Sequence, residues 1–426
     1  MTARPARGGR LPAVLAIVPR LIPSTLIGVI KPLGALHRDG RIRFDVALET
    51  WVSRRQVARA DVLVFCRNTE PAYAWPLHAA VAVGTPVIYE LDDDFFSMPA
   101  GAPGGAYHRD PQRLDQLERY LRQATLVRVY SEALRARVTA YNARVHRVEG
   151  PLDWDLVPVE PPPRNPKVRR IVYATSRLED TLAATFTADL RRILDAFRGR
   201  VEAWFLGCRP GQLAGHPDVH FREFVPDYDV FFRRFSRAGF DIGLAPLPDD
   251  EFHRAKSDNK FREYAASRIA GIYSDVRVYR ESVADGRTGL LVPAAPDAWF
   301  SAMARLIEDD ELRTRVQNEA WTCARARYGM AQSKATWLAH LEATLASDRA
   351  VAQPSLAAAA PSGTRRTLRF LRRGIEVLRE GAELGPRITG LFRSTRALVQ
   401  LRRELAKARR KRGHGTRFRS EKEYAE

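Results

Sequence analysis

The chain has 426 residues, 45% of them hydrophobic, and its 69 Lys and Arg against 50 Asp and Glu give a net charge of +19. This length is too great for one ordinary core and predicts two or three domains. The three cysteines, Cys66, Cys208 and Cys323, lie far apart in no metal-like spacing, which argues against a disulfide framework or a zinc site and favours a reducing, cytoplasmic compartment.

The opening segment, "MTARPARGGRLPAVLAIVP", superficially resembles a signal peptide, but no small-x-small cleavage site follows closely. We interpret its apolar run as a buried first strand. Further short β-branched runs follow, with helix-like stretches at 71–84 and 110–124 between them. The predicted strands of this part are 13–18, 43–48, 61–66, 86–91, 125–130 and 145–150. Strands that alternate with helices predict βαβ units and a parallel sheet.

A proline-rich segment, 151–170, interrupts this pattern, because proline fits neither a helix interior nor a central strand. The pattern then restarts. The second set of predicted strands is 170–175, 202–207, 218–224, 240–247, 270–275 and 288–293, and the predicted helices are 179–198, 227–238, 258–268, 296–308 and 310–327. The predicted fold class is α/β: two tandem doubly wound, Rossmann-like domains, 10–155 and 170–345, joined by a linker at 156–169 and facing a cleft.

The remaining chain consists of a low-complexity linker, 350–364, and a basic tail, 365–426. Residues 364–426 hold 19 Lys and Arg against 7 Asp and Glu, so this end supplies most of the excess charge. Leucines and isoleucines recur in it at helical spacing, typical of an amphipathic helix. We favour binding of the tail to an anionic membrane surface; a partner helix, a coiled coil or a solvated, disordered tail remain open. No nucleic-acid-binding motif accompanies the charge, so nucleic acid is a less favoured partner, and a basic nucleic-acid-binding protein stays open as a weaker alternative.

Charge is concentrated at one strand-to-helix junction, "DDEFHRAKSDNKFREYAA", residues 249–266. Ser257 or Asp258 is the predicted N-cap of the following helix. The free N–H groups and dipole of a helix start favour an anion such as phosphate, and Lys256 and Lys260 add positive charge beside it. Glu263 follows in a position to accept hydrogen bonds from sugar hydroxyls. The simpler interpretation is a capped helix with solvated lysines and a surface glutamate.

A second charged junction, "YELDDDFF", places Asp92, Asp93 and Asp94 at the carboxyl end of a predicted strand. These carboxylates are suited to binding acceptor hydroxyls, to polarising one of them, or to holding a metal. Helix capping by solvated acids is the competing interpretation. Arg67 and His108 are weaker candidates for the same site.

Three consecutive motifs resemble the C-terminal domain of glycosyltransferases with the GT-B fold: "FDIGLAPLPDDEFHRAKSDNKFREYAA", "AGIYSDVRVYRESVADGRTGLLV" and "DAWFSAMARLIEDDELRTRVQNEA". "AVAVGTPVIYELDDDFF" and "VYSEALRARVTAYNARVHRVEG" are similar to the acceptor domain of the same group. The likeness covers roughly residues 10–345. It is greatest to the large retaining group called glycosyl transferases group 1, or family four.

The resemblance implies that Glu263 holds the ribose hydroxyls of a nucleotide-sugar donor and that Arg177 contacts the donor diphosphate. Two positions depart from the family pattern, because Ala255 stands where a first glutamate is expected and Leu182 where a lysine is expected. We therefore expect the positive charge to come from Lys256 and Lys260. Ser257 completes this donor site, and Ser274 and Tyr279 are expected in the wall of its pocket.

The resemblance also implies a metal-independent transferase without a cofactor, which moves a sugar from its donor to an acceptor hydroxyl with retention at the anomeric carbon. Asp92 and Asp93 are the predicted catalytic residues. The acceptor itself is not specified by the sequence. The departures at Ala255 and Leu182 keep a catalytically inactive, nucleotide-binding protein of the same fold as the alternative.

Overall fold

A computed structural model describes residues 10–102, 104–176, 181–347 and 398–405. These residues form two compact units. The first unit contains 10–148 together with 333–347 and 398–405, and the second contains 149–332. Within these ranges, the structure confirms all twelve predicted strands, with shorter ends in most cases. The agreement follows from the short β-branched runs, which suit strands that are buried on both faces.

The first unit is built on a parallel sheet of six strands in the order β2-β1-β3-β4-β5-β6. Its strands are β1 (Ala13–Val18), β2 (Arg43–Leu48), β3 (Val62–Cys66), β4 (Val87–Leu91), β5 (Leu126–Val129) and β6 (Val145–Arg147). Its helices are α1 (Pro23–Thr25), α2 (Lys31–Arg38), α3 (Arg54–Arg59), α4 (Trp75–Ala82), α5 (Gly105–His108), α6 (Pro111–Gln123) and α7 (Glu132–Thr139). A π-helical turn, Leu26–Ile30, joins α1 to α2.

The second unit repeats the plan with a parallel sheet in the order β12-β11-β10-β7-β8-β9. Its strands are β7 (Arg169–Ala174), β8 (Val201–Leu206), β9 (Val219–Arg222), β10 (Ile242–Ala245), β11 (Ala270–Ser274) and β12 (Leu290–Val292). Its helices are α8 (Ala184–Ala196), α9 (Tyr228–Phe235), α10 (Glu251–Arg254), α11 (Asn259–Ala266), α12 (Arg277–Arg280), α13 (Ala298–Glu308) and α14 (Asp310–Arg327). One core cluster joins α8 and α13 to the sheet, and another joins α9, α11 and α14 to it.

The second unit ends at Gln332, within a helix that continues into the first unit. Helix α15 (Met330–Ala346) lies mostly within the predicted 170–345 domain, yet from Ser333 onward it belongs to the first unit. The physical reason is its apolar face, since Trp337 and Leu341 are buried in the core beside β1 and β2. The predicted linker 156–169 also packs as part of the second unit, where Leu156 and Val157 enter the core.

The tail is described only at 398–405, where a helix packs on the first unit. Leu398 and Leu405 are buried in the same core cluster as Leu36 of α2. Arg402 Nε donates to the carbonyl oxygen of Val46 at 2.8 Å. This helix packs its apolar face on the core of the first unit, as an intramolecular partner helix does. Leu398 and Leu405 are buried there and do not face a lipid surface. The rest of the predicted tail and the 350–364 linker lie outside the described residues.

Candidate functional site

The charged junction of the second unit forms two helices instead of one. A short helix, α10, precedes the predicted one and begins where the Asp250 carboxylate accepts a hydrogen bond of 2.9 Å from the backbone N–H of His253. Ala255 follows at its end and is buried. Helix α11 then begins at Asn259, as the sequence predicts, with Asp258 in the N-cap position.

Asp258 does not cap α11 with its side chain, which corrects the expected role of this residue. The carboxylate turns inward, where Oδ2 accepts hydrogen bonds of 2.6 Å from the Ser282 hydroxyl and 2.6 Å from the Tyr328 hydroxyl. Oδ1 forms an ion pair with Arg262 Nε at 2.9 Å. Burial by itself would raise the pKa of Asp258, but the Arg262 charge and the two hydroxyl donors outweigh it and lower that pKa. The structure therefore holds a buried anion directly before α11.

The two predicted lysines lie on either side of this anion in sequence. Lys260 Nζ forms an ion pair with the Glu263 carboxylate at 2.9 Å, within the first turns of α11. Lys256 Nζ lies 4.1 Å from the centroid of the Phe252 ring. Lys256, Ser257 and Lys260 are all half-buried, and Glu263 is buried. Two cations are thus held beside a helix start, where the N–H groups and the helix dipole also favour an anion.

The other predicted donor-site residues have structural partners in this unit. Ser274 ends β11, and its hydroxyl oxygen accepts a hydrogen bond of 2.9 Å from the backbone N–H of Leu247. Tyr279 lies in the core with its ring centroid 4.8 Å from that of Tyr273, and burial is the main cause that raises its pKa. Arg177 lies outside the described residues. Ser274 thus connects β11 to the loop after β10, and Tyr279 packs against Tyr273 of β11.

In the first unit, the structure brings Asp92 and Asp93 together through Arg67. Its Nη1 donates to Asp92 Oδ1 at 2.5 Å and to Asp93 Oδ2 at 3.1 Å. Arg67 follows β3 with a left-handed backbone, φ 63°, a conformation that is costly for a residue with a Cβ and is concentrated at functional sites. Asp94 points elsewhere, since Oδ1 accepts a hydrogen bond of 3.0 Å from the backbone N–H of Phe96. The acidic triplet is therefore two paired carboxylates and one that caps a turn.

His108 joins this group through Phe95. The two rings are stacked with centroids 3.9 Å apart, and the Arg67 guanidinium lies 4.8 Å from the Phe95 centroid. Burial and the Arg67 charge lower the pKa of His108 to about 3, so the imidazole is neutral. The sequence makes Arg67 and His108 only weak candidates, because no local signal shows that residues 67, 92 and 108 meet.

The segment around His108, which ends α5, is held against Glu70 in the stretch that follows β3. Arg113 Nε donates to Glu70 Oε2 at 3.0 Å, and the Tyr107 hydroxyl donates to the same oxygen at 3.3 Å. The guanidinium of Arg113 also stacks on the Tyr107 ring at 3.9 Å. These contacts fix the position of the neutral imidazole beside the pair of carboxylates. A preorganised polar group of this kind suits the recognition of hydroxyl groups.

Searches with family models and among curated proteins find no match to this chain. Solved structures do match. Sucrose-phosphate synthase from Thermosynechococcus elongatus is 13% identical, with a TM-score of 0.59 over 78% of this chain and 98% of that one. HepE from Anabaena, in complex with UDP and glucose, is 14% identical, with a TM-score of 0.55 over 77% of this chain and 99% of that one. The chain has the GT-B fold.

TarM is also similar, with 10% identity and a TM-score of 0.50, although the chain spans only 54% of its length. These likenesses confirm the predicted fold class. In a GT-B unit, as in other open α/β sheets, ligands bind beyond the carboxyl ends of the strands. The pair Asp92 and Asp93 follows β4, and the segment with Lys256 and Lys260 follows β10. Within the described residues, no helix has the length and apolar character of a membrane span.

Proposed function

We propose that this protein is a glycosyltransferase, which moves a sugar from a nucleotide-sugar donor to an acceptor hydroxyl. The observation that carries the proposal is the shared GT-B fold, over 77% of this chain, with HepE in complex with UDP and glucose. The charged groups described above lie after β4 and β10, where such folds bind ligands. The resemblance of the sequence motifs to retaining transferases supports the same reaction, with retention.

The donor half of the proposal rests on the start of α11. Lys256 and Lys260 would stabilise the negative charge that develops on the departing diphosphate, together with the N–H groups of the helix. Glu263 would accept hydrogen bonds from the ribose hydroxyls while it keeps its ion pair with Lys260, 2.9 Å away. Ser257 and Arg177 would add donors to the diphosphate. Ser274 and Tyr279 support this donor site from β11 and the core below it.

The acceptor half rests on Asp92 and Asp93. A carboxylate that accepts a hydrogen bond from the acceptor hydroxyl increases the negative charge on its oxygen as it attacks the anomeric carbon. Arg67 holds both carboxylates in place, because its Nη1 atom lies 2.5 Å from Asp92 Oδ1 and 3.1 Å from Asp93 Oδ2. The bond between the anomeric carbon and the diphosphate would break as the acceptor oxygen bonds to that carbon, and the hydroxyl proton would pass to Asp92 or Asp93. Lys256 and Lys260 would take up the charge of the departing diphosphate, without a metal. The acceptor would be a glycan, a lipid-linked precursor or another cell-surface precursor.

Titration calorimetry with UDP, GDP, CDP and ADP tests the donor half. We expect one nucleotide to bind the wild type and to bind Lys256→Ala and Lys260→Ala about tenfold more weakly, equivalent to ~1.4 kcal/mol. Lys334→Ala is the matched control, because Lys334 forms an ion pair with Asp39 in the first unit. Equal affinity in all three variants would contradict the donor assignment, and no binding by the wild type would contradict the function.

Transfer or donor-hydrolysis assays then separate an enzyme from a nucleotide-binding protein without activity. The second candidate is favoured by Ala255 and Leu182, which stand where the family pattern has a carboxylate and a lysine. An active enzyme should release nucleoside diphosphate from the matching nucleotide sugar. Binding without any turnover, across a panel of sugars and acceptors, would establish the second candidate.

The proposal also places the enzyme in the cytoplasm, at an anionic membrane surface that its basic tail would contact. Because Leu398 and Leu405 are buried, the contact would be made by charge, and residues 406–426 carry 8 Lys and Arg against 3 Asp and Glu. We expect sedimentation with phosphatidylglycerol vesicles at low salt and much less with phosphatidylcholine vesicles. A chain that ends at Leu405 and still sediments equally would argue against the tail.

A further inference from the structure

Asp258 connects the start of α11 to two other parts of the second unit. Its carboxylate bonds to Ser282, which lies just after α12, and to Tyr328, which lies just after α14. Arg262, one turn along α11, neutralises it and is itself buried. A buried carboxylate with partners on all sides has one favourable geometry, because any displacement leaves a charge or a hydroxyl unpaired.

Arg262 in turn lies directly against Gly150. A Cβ atom at that position would overlap the Arg262 guanidinium, so any other residue there would force the guanidinium to shift. Gly150 is the second residue of the second unit, which begins at Glu149. The start of α11 is thus packed on the segment that brings the chain from the first unit.

Tyr328 lies near the other passage between the units, which the chain makes after Gln332. Its carbonyl oxygen accepts a hydrogen bond of 2.7 Å from the backbone N–H of Leu152, so the entering and leaving segments are bonded to each other. The neighbouring residue, Arg327, donates to the Glu149 carboxylate at 2.9 Å. Asp258 therefore lies on a network that joins both passages to the helix carrying Lys260 and Glu263.

We propose that Asp258 is a positioning residue for the donor diphosphate, which sets the start of α11 relative to the two segments where the chain passes between its units. The inference rests on the proposed function. Asp258 lies between Lys256 and Lys260 in sequence, and its bonded carboxylate anchors the backbone there. A shift of this anchor therefore moves both cations. A misplacement of about 1 Å at such a site is enough to weaken binding or turnover by a large factor. Asp258 itself does not contact the donor.

The test compares two variants that weaken the network with one that does not. Ser282→Ala and Tyr328→Phe each remove one hydroxyl donor to Asp258 and leave the charge pair with Arg262 intact. Ser236→Ala is the matched control: Ser236 is a buried serine of the same unit whose hydroxyl donates to the Leu156 carbonyl oxygen at 3.3 Å. All three should unfold at slightly lower temperature than the wild type.

The decisive measurement is the dissociation constant for the nucleoside diphosphate that the wild type binds, chosen from UDP, GDP, CDP and ADP. We expect it to rise about tenfold in Ser282→Ala and in Tyr328→Phe and to stay within twofold in Ser236→Ala. Asp258→Asn should weaken binding further, where that variant folds. Unchanged affinity in the two hydroxyl variants would overturn the inference and leave the proposed function standing. A wild type that binds none of the four would overturn both.

Discussion

Trp337 donates a hydrogen bond of 2.9 Å from its indole Nε1 to the carbonyl oxygen of Gly28, 309 residues earlier in the chain. The same indole lies under the guanidinium of Arg128, 3.7 Å from the ring centroid, and is fully buried. Arg128 in turn forms a buried ion pair of 2.8 Å with Glu90 on β4. Helix α15, which follows the second unit along the chain, thereby completes the core of the first unit.

Replacing Trp337 with alanine should strongly destabilise the first unit. The change removes a fully buried indole, its hydrogen bond and its contact with a buried cation, so we expect a loss of roughly 3–5 kcal/mol in the free energy of unfolding. Urea unfolding measures this loss. Trp51→Ala is the control, because Trp51 is 46% exposed in the same unit and should cost less than a third as much. Similar losses in the two variants would contradict the packing of α15.

Removing Arg67 should damage transfer more than donor binding. Arg67→Ala leaves Asp92 and Asp93 close together without their shared cation, so the carboxylates repel each other and lose their fixed positions. We expect kcat/KM for transfer to fall by about 10²-fold, with the affinity for nucleoside diphosphate unchanged, as steady-state kinetics and calorimetry will show. Arg109→Ala, at an exposed arginine directly after His108, is the control. A loss of nucleotide affinity would argue that the cluster belongs to donor binding.

The stability of the first unit should decrease in mild acid. Burial and the Arg67 charge lower the pKa of His108 to about 3, and burial and the Arg128 charge lower that of His340 to about 3, against about 6.5 in an unfolded chain. The unfolded state therefore takes up protons below pH 6.5 that the folded state does not. Each histidine should cost about 1.4 kcal/mol per pH unit between pH 6.5 and 3.

Urea unfolding at pH 7.5 and pH 5.5 checks this dependence. The His108→Asn and His340→Gln variants should each lose less stability between these pH values than the wild type. Trp51→Ala, which removes no titratable group from the first unit, should show the wild-type dependence. An equal decrease in all four proteins would show that other groups control the acid sensitivity.

A methyl group at Gly150 should disturb the network around Asp258. Its Cβ would overlap the Arg262 guanidinium, which cannot move away without breaking its ion pair. We expect Gly150→Ala to lose roughly 1–3 kcal/mol of stability and to bind nucleoside diphosphate more weakly. Gly211→Ala offers the comparison, because a Cβ there meets no atom within 4 Å. Thermal unfolding and calorimetry measure both effects, and a harmless Gly150→Ala would contradict the close packing.

The helix at 398–405 should depend on its leucines for attachment. Leu398→Ser and Leu405→Ser together place two hydroxyl groups in the apolar core beside α2, which weakens the packing of the helix. We therefore expect faster proteolytic removal of the tail and a lower melting temperature. Val399→Ser tests the outer face of the same helix, where Val399 is 47% exposed, and should have little effect. If cleavage were equally fast in wild type, the segment would not be held by this core.

The sequence by itself determined the twelve strands, the two repeats of the α/β pattern and the presence of Lys256, Lys260 and Glu263 at one helix start. These features depend on neighbouring residues: β-branched runs define buried strands, and residues three or four apart share a helix face. The ion pair of Lys260 with Glu263 is of this local kind.

Tertiary structure alone decided the partners that are distant along the chain. Arg67 reaches Asp92 across 25 positions, Asp258 reaches Tyr328 across 70, and the His37 ring reaches the Leu405 carbonyl oxygen across 368. No local periodicity records such meetings, because they depend on which strands become neighbours and which helix faces are left to cover. For the same reason a predicted cap, Asp258, became a buried anion, since the hydroxyls and guanidinium brought to it by folding bind its carboxylate in place of the backbone N–H groups of α11.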